Sequence, residues 1–304
     1  MDALRERART VSTDGALLAI HEYGLEPDAE APSLVFLHGY PDDHRVFLPV
    51  IEELADTHHI ITVDTRNAGG SRPREGAGFT VAELVDDVFA VLAAVDVPGG
   101  VRLIGHDWGS IQGWAVMQDE RADGLIRDFT SVSGPDLRHF SHWLRDRFQD
   151  VRLLPQGVGQ VLRSWYVAAF QFPVLPELSW RYVLTRRYEF AARRNVGKDP
   201  IRGLALYRTN IFARHLPRRP PRRRTITVPV HVIVPSRDPF LSPHLVDGLE
   251  EWVEDLTVTR VPGGHWWVAS QPRVFAELLD PGRTIPGLPD QALPGPGPRG
   301  DDGA

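Results

Sequence analysis

A chain of 304 residues with 42% hydrophobic and 24% charged residues is long enough to bury a sizeable core and too apolar to be disordered throughout. It has no cysteine, which excludes disulfides, thiolate metal sites and a cysteine nucleophile. The net charge of -6 argues against nucleic acid or an anionic membrane as the main partner, because either selects a basic surface.

The first ten residues are charged and lack the apolar centre of a secretion signal. No apolar run reaches membrane-spanning length, so a cytoplasmic location without a membrane partner is expected. Short apolar runs bounded by turn residues predict buried strands at 34–37, 60–63, 101–104, 129–132 and 230–234. Helical periods fall between them. Over 81–94, Leu84, Val85, Val88, Val91 and Leu92 form one stripe of an amphipathic helix. Such alternation implies an α/β fold with a mostly parallel sheet covered by helices. It stops near Pro135 and resumes near Val228. The Trp-, Tyr- and Arg-rich stretch between them has helical texture and no strand pattern, and reads as a helical cap. The expected division is a core of residues 1–134 and 226–280 and a cap of 135–225. Arg218, Arg219, Arg222, Arg223 and Arg224 form a basic run broken by Pro217, Pro220 and Pro221, which reads as a solvated connector. Residues 281–304, rich in Pro and Gly, hold too little apolar surface to repay ordering and read as a disordered tail.

The strongest chemical signal is Gly105-His106-Asp107-Trp108-Gly109-Ser110, directly after the strand at 101–104 and before a helical run. A nucleophile on a sharp strand-to-helix turn is strained, and only glycine-sized neighbours let the two elements approach so closely. The helix N-terminus beside it favours an anion. In the esterase version of this turn the central residue is serine, suited to acyl transfer. Asp107 stands there instead, and a carboxylate attacks a saturated carbon bearing a leaving group, giving an alkyl-enzyme ester.

His38-Gly39-Tyr40-Pro41-Asp42 follows the strand at 34–37. The backbone N–H of Tyr40, with that of Trp108, is expected to hold the oxyanion formed when water attacks the ester. His38, Pro41, Trp108 and Trp266 are the residues expected to line the substrate pocket. Asp238 follows the strand at 230–234, and His265 lies in Gly263-Gly264-His265-Trp266-Trp267. The chain order is nucleophile, acid, histidine. His265 would take a proton from water, and Asp238 would fix its tautomer and stabilise the imidazolium. His58, His59, His139 and His142 show no ligand-like clustering, so no metal is expected.

These motifs, with Phe129-Thr130-Ser131-Val132-Ser133-Gly134-Pro135, resemble those of the epoxide hydrolases of the α/β-hydrolase fold over residues 11–280. They look especially like those of the hydrolase domain of mycobacterial EphD-type proteins, which continue into a short-chain dehydrogenase domain. The resemblance implies a helical cap inserted after the sixth strand. It also implies two cap tyrosines that hydrogen-bond the epoxide oxygen, and the matching positions are Tyr166 and Tyr207, with Tyr182 and Tyr188 as rivals. A phenol suits the task, since it can stabilise or protonate an alkoxide at neutral pH. The implied reaction opens an epoxide to a diol with water as co-substrate and no cofactor. Trp143, Trp165, Phe170 and Phe172 suggest an apolar substrate. A homodimer is compatible with the sequence. The rival readings are a haloalkane dehalogenase, which shares aspartate then tryptophan at the elbow but wants Asn where Tyr40 stands, and a non-catalytic binding protein of the same fold.

Overall fold

The computed structural model describes residues 5–192, 194–211 and 224–280. The expected tail at 281–304 and the basic run apart from Arg224 lie outside the described residues.

Among the described residues, nine strands form one sheet. They are β1 Arg7–Ser12, β2 Ala16–Gly24, β3 Ser33–Leu37, β4 His59–Val63, β5 Arg72–Pro73, β6 Val101–His106, β7 Ile126–Val132, β8 Val230–Pro235 and β9 Leu256–Val261. Their order is β1-β2-β4-β3-β6-β7-β8-β9, with the two-residue β5 paired to β2. β1 and β2 run antiparallel, and every neighbouring pair from β4 to β9 along this order is parallel. β3 and β4 are buried along their whole length, which is why they read as unbroken apolar runs.

Successive side chains of β3 enter two different cores, as the two-residue period of a strand dictates. Val35 and Leu37 join the layer beneath α2 (Val81–Ala94) and α3 (Trp108–Val116). Leu34 and Phe36 join the opposite layer, built with α1 (Leu48–Leu54), α10 (Trp267–Ser270) and α11 (Pro272–Leu279). α2 begins where the pattern places it because Thr80 and Glu83 close a reciprocal capping box.

Between β7 and β8 the described residues form helices and no strand. They are α4 Leu137–Gln149, α5 Leu154–Arg163, α6 Trp165–Ala169, α7 Leu175–Ser179, a π-helical turn Trp180–Leu184, α8 Thr185–Ala192 and α9 Asp199–Asn210. The insertion follows the sixth strand once the two-residue β5 is set aside. A third apolar cluster, including Tyr40, Leu84, Trp108, Leu204 and Tyr207, joins it to the sheet.

The turn from β6 into α3 is the tightest place in this framework. Asp107 holds φ 54 and ψ −118, outside the usual conformations of a side-chain-bearing residue. A Cβ on Gly109 would lie 1.9 Å from the Leu37 carbonyl oxygen, and one on Gly134 would lie 2.1 Å from the Asp107 carbonyl oxygen. Both obstacles are backbone, so neither can step aside. Gly109→Ala is therefore expected to lower stability by roughly 3 kcal/mol or more. Gly76→Ala, at φ 76 with nothing within 4 Å, is expected to cost only about 1–2 kcal/mol of backbone strain. Urea midpoints compare the two directly, and equal losses would refute the account of the turn.

Candidate active site

The β6–α3 turn projects Asp107 from the carboxyl end of the sheet at the N-terminus of α3. Its Oδ1 accepts a 2.7 Å hydrogen bond from the Tyr40 backbone N–H. Its Oδ2 lies 3.4 Å from His265 Nε2. On the other side of the imidazole, Nδ1 lies 2.9 Å from Asp238 Oδ2, so Nδ1 carries a proton. Asp238 is itself oriented by the backbone N–H groups of Phe240 and Leu241, which donate to Oδ1 at 2.8 and 3.2 Å. Trp108 opens α3, where a backbone N–H has no partner inside the helix.

Burial is the largest influence on His265 and opposes its charge. The Asp238 carboxylate and the hydrogen bonds to Asp107 and Asp238 outweigh it, and the pKa is pushed up to about 10. Burial likewise opposes charge on Asp238, yet the His265 charge and hydrogen bonds hold its carboxyl below the usual range. His106, fully buried, goes the other way: burial and then the His265 charge bring it down to about 4. It is neutral near pH 7, and its Nε2–H donates to the His265 carbonyl at 3.0 Å, holding that loop from beneath.

Asp107 and His265 open into a cavity of about 420 Å³. Tyr166 of α6 and Tyr207 of α9 line it too, and apolar walls come from Ile111, Leu137, Phe140, Leu144, Trp165 and Phe240. The two tyrosine rings meet edge to face at 5.9 Å, and Tyr207 packs against Trp108 at 5.1 Å. Burial first, and then the Asp107 charge, pushes the Tyr166 phenol up. Burial dominates again at Tyr207, followed by Tyr166 and Asp107. Both phenols are therefore protonated donors near pH 7.

Three residues expected in the pocket lie outside the cavity wall. His38 is buried behind it, where Nδ1–H donates to the Gly39 carbonyl at 2.8 Å and Nε2 accepts from the Thr65 N–H at 3.0 Å. It staples two loops together. Pro41 is buried in the same loop and does not reach the cavity. Trp266 packs edge to face on His265 and Phe240 and donates from Nε1 to Asp42 Oδ2 at 2.8 Å. Trp108 does line the wall. Of the rival tyrosines, Tyr182 is 62% exposed, and Tyr188 donates its hydroxyl to Asp42 Oδ1 at 2.5 Å.

Asp42 is a residue whose role the sequence reading missed. Buried at the end of the His38 loop, it accepts from Tyr188, from the Arg194 guanidinium and from Trp266. One carboxylate thus joins the loop of Tyr40, the insertion and the loop of His265. Phe240, also missed, packs on both His265 and Tyr166 at 5.0 and 5.2 Å. Its only signal was position, two residues after Asp238.

Among the described residues, Glu6, His21 and His44, and Asp43, His44 and Asp64, bring possible ligand atoms within 4.8 Å of one another. The His21 and His44 rings stack at 3.6 Å with 21° between planes. His21 Nδ1 is taken up by Glu6 and His44 Nδ1 by Asp64. The cluster is a set of hydrogen-bonded histidine–carboxylate pairs.

A strand-turn-helix elbow on a framework of six parallel strands, with an acid and a histidine delivered from later loops, defines a hydrolase-type fold. The family described as alpha/beta hydrolase fold matches residues 32–270, and the chain belongs to it. Over 301 residues the chain is 31% identical to a Mycobacterium tuberculosis protein described as a probable oxidoreductase, EphD, covering 92% of this chain and 50% of that one. It therefore spans about half the length of that relative. It is 24% identical over 299 residues to epoxide hydrolase 3 of Mus musculus, covering 91% of this chain and 76% of the mouse protein. Its fold is similar to that of a Bacillus megaterium epoxide hydrolase solved with an inhibitor, with TM-score 0.72 and 22% identity over 89% of this chain and 98% of that one.

The His265 shift carries a stability consequence. A histidine whose folded pKa is about 10, against an ordinary 6.5, contributes stability that is fully present below pH 6.5 and is lost as pH rises through 10. Unfolding free energy is expected to fall across that window, with a slope from this group approaching about 1.4 kcal/mol per pH unit. His265→Gln should remove that component of the slope. Urea titrations of both proteins at several pH values test it, and parallel pH profiles would refute it.

Proposed function

We propose that the chain is an epoxide hydrolase that opens an apolar epoxide to a vicinal diol through an ester on Asp107. The observation that carries this reading is a carboxylate facing two protonated phenols inside one apolar cavity. The helical insertion, residues 135–225, serves as the cap over a core of 1–134 and 226–280. It supplies both phenols and much of the apolar wall.

In the first half-reaction, Asp107 Oδ2 attacks a ring carbon while Oδ1 stays on the Tyr40 N–H. The carbon–oxygen bond breaks and its electron pair moves to the epoxide oxygen. That alkoxide takes a proton from Tyr166 or Tyr207, which is the charge stabilisation the phenols provide. Esterification removes the Asp107 charge, one of the influences that raise His265. The imidazolium then gives up its proton more readily, restoring the phenol, and neutral His265 becomes able to accept a proton from water. Water adds to the ester carbonyl as His265 takes its proton, and the oxyanion on Oδ1 rests on the backbone N–H groups of Tyr40 and Trp108; its collapse breaks the bond from the carbonyl carbon to Oδ2, which leaves as the second hydroxyl of the diol and takes up the remaining proton of the added water. Asp238 balances the imidazolium until the diol leaves. This chemistry calls for no cofactor.

The names of the mouse and Bacillus relatives agree with this reading. A haloalkane dehalogenase from Mycolicibacterium smegmatis also resembles part of the chain, with 28% identity over 159 residues. Halide release needs N–H donors around the leaving group and no phenols, so the tyrosine pair favours the epoxide.

With a styrene-oxide-like epoxide, His265→Gln is expected to accumulate an alkyl adduct on Asp107, seen by mass spectrometry. Tyr166→Phe and Tyr207→Phe together are expected to lower turnover by about a hundredfold or more. Single turnover in heavy-oxygen water should leave label in the Asp107 carboxylate. An unlabelled Asp107, or halide release from a 1-haloalkane with no diol from any epoxide, would sink the proposal.

A further inference from the structure

Large apolar side chains that remain exposed are unevenly placed. Among the described residues, all of those identified except Leu17 and Leu25 lie between Phe148 and Phe190, inside the insertion. Ten of them fall within residues 161–184, including Trp165 at 69%, Phe172 at 60% and Leu175 at 63%. Exposed apolar side chains scattered singly are ordinary, whereas a concentration on one element marks an interaction surface.

Charge is reversed over the same element. Residues 135–211 hold thirteen Lys and Arg against six Asp and Glu, in a chain with 34 against 40. Arg181, Arg186 and Arg187 stand exposed among the apolar residues. Residues 161–190 hold two acids, and both are engaged already: Glu177 pairs with Arg208 at 2.6 Å, and Glu189 accepts from the Val196 N–H at 3.0 Å. The cavity opens toward this surface, since Val161 and Trp165 are at once exposed and part of its wall.

We propose that this face of the insertion docks on an anionic lipid surface. Phe172, Leu175, Leu178 and Tyr182 enter the acyl boundary, and Arg181, Arg186 and Arg187 meet the headgroup phosphates. An exposed helical surface rich in Arg and large apolar residues has the composition of an interfacial segment, and each Arg near an anionic leaflet adds attraction. The acidic remainder of the chain is repelled by the same leaflet, which orients the molecule insertion-first. A second copy of the chain is the rival occupant. A two-fold contact sets a patch against itself, so these arginines would face arginines, with the two acids of residues 161–190 already engaged. Phosphates supply the missing anion. No helix among the described residues is long and apolar enough to cross a membrane, so the association is peripheral. Docking does not depend on the chemistry proposed above; its use would be to set the cavity mouth against the phase that dissolves an apolar substrate.

Sedimentation of the full chain with phosphatidylglycerol-containing vesicles, against pure phosphatidylcholine vesicles, tests the proposal. Binding is expected to be at least tenfold stronger with the anionic vesicles and to weaken as salt is raised. Arg186→Gln with Arg187→Gln should weaken it by roughly thirtyfold, and Leu178→Asp should abolish it. Both variants should keep the thermal melt of the parent protein and its turnover of a water-soluble epoxide. If neither vesicle binds, or both bind equally and the arginine variant is unaffected, the proposal is wrong. So it is if light scattering finds a dimer that Leu178→Asp dissociates while vesicles bind nothing. Failure of epoxide turnover alone would remove the chemical proposal and leave vesicle binding to stand or fall separately.

Discussion

The close approach of α3 to β3 sets the geometry from which the site is built. Gly109 lets the first turn of α3 rest on the Leu37 carbonyl, and Gly134 lets the end of β7 rest on the Asp107 carbonyl. Pinned on both sides, Asp107 adopts a conformation it would not choose, and its carboxylate stands over the N-terminus of a helix. The same approach brings the loop after β3 within one hydrogen bond of that carboxylate, through the Tyr40 N–H. Two backbone contacts thus fix the position of one oxygen, and the remaining groups are arranged around it.

Charge completes what packing begins. His265 lies between two carboxylates, one that never leaves and one whose charge the proposed chemistry would erase. Burial alone would keep the imidazole neutral, as burial and then the His265 charge do at the neighbouring His106. The difference between these two neighbouring histidines comes from carboxylate partners, since both are buried. A site of this kind carries its own timing, because the basicity of the histidine depends on whether Asp107 bears charge.

Much of this was legible in the sequence where burial and local pattern coincide. The inner strands β3, β4, β6, β7 and β8 read as apolar runs because both of their faces are covered. β1, β2 and β9 were not found: β1 is exposed at five of six positions, β2 alternates, and β9 is half exposed, so none presents an unbroken apolar run. Among site residues, Asp107 could be found from its own neighbours, since the turn demands glycines beside it. His38, Pro41 and Trp266 lie off the cavity although they neighbour Tyr40 and His265 in sequence, because adjacency along a loop is not adjacency to the cavity. A loop residue one step from a site residue points away from it about as readily as toward it. Here His38 and Trp266 face backwards into hydrogen bonds that hold the loops.

Asp42 shows what pattern reading of a single chain does not supply. In the sequence it is the last letter of a short motif, and acids in loops are commonly turn residues. In the fold it gathers donors from α8, from Arg194 and from the residue after His265. A buried carboxylate tolerates such a place only when its partners are in reach, so it ties the placement of the insertion to that of the His265 loop. Because the insertion also brings Tyr166 and Tyr207, that one side chain relates the phenols on one side of the cavity to the imidazole on the other. The distance between them across the cavity is then a property of long-range contacts, which no local motif encodes.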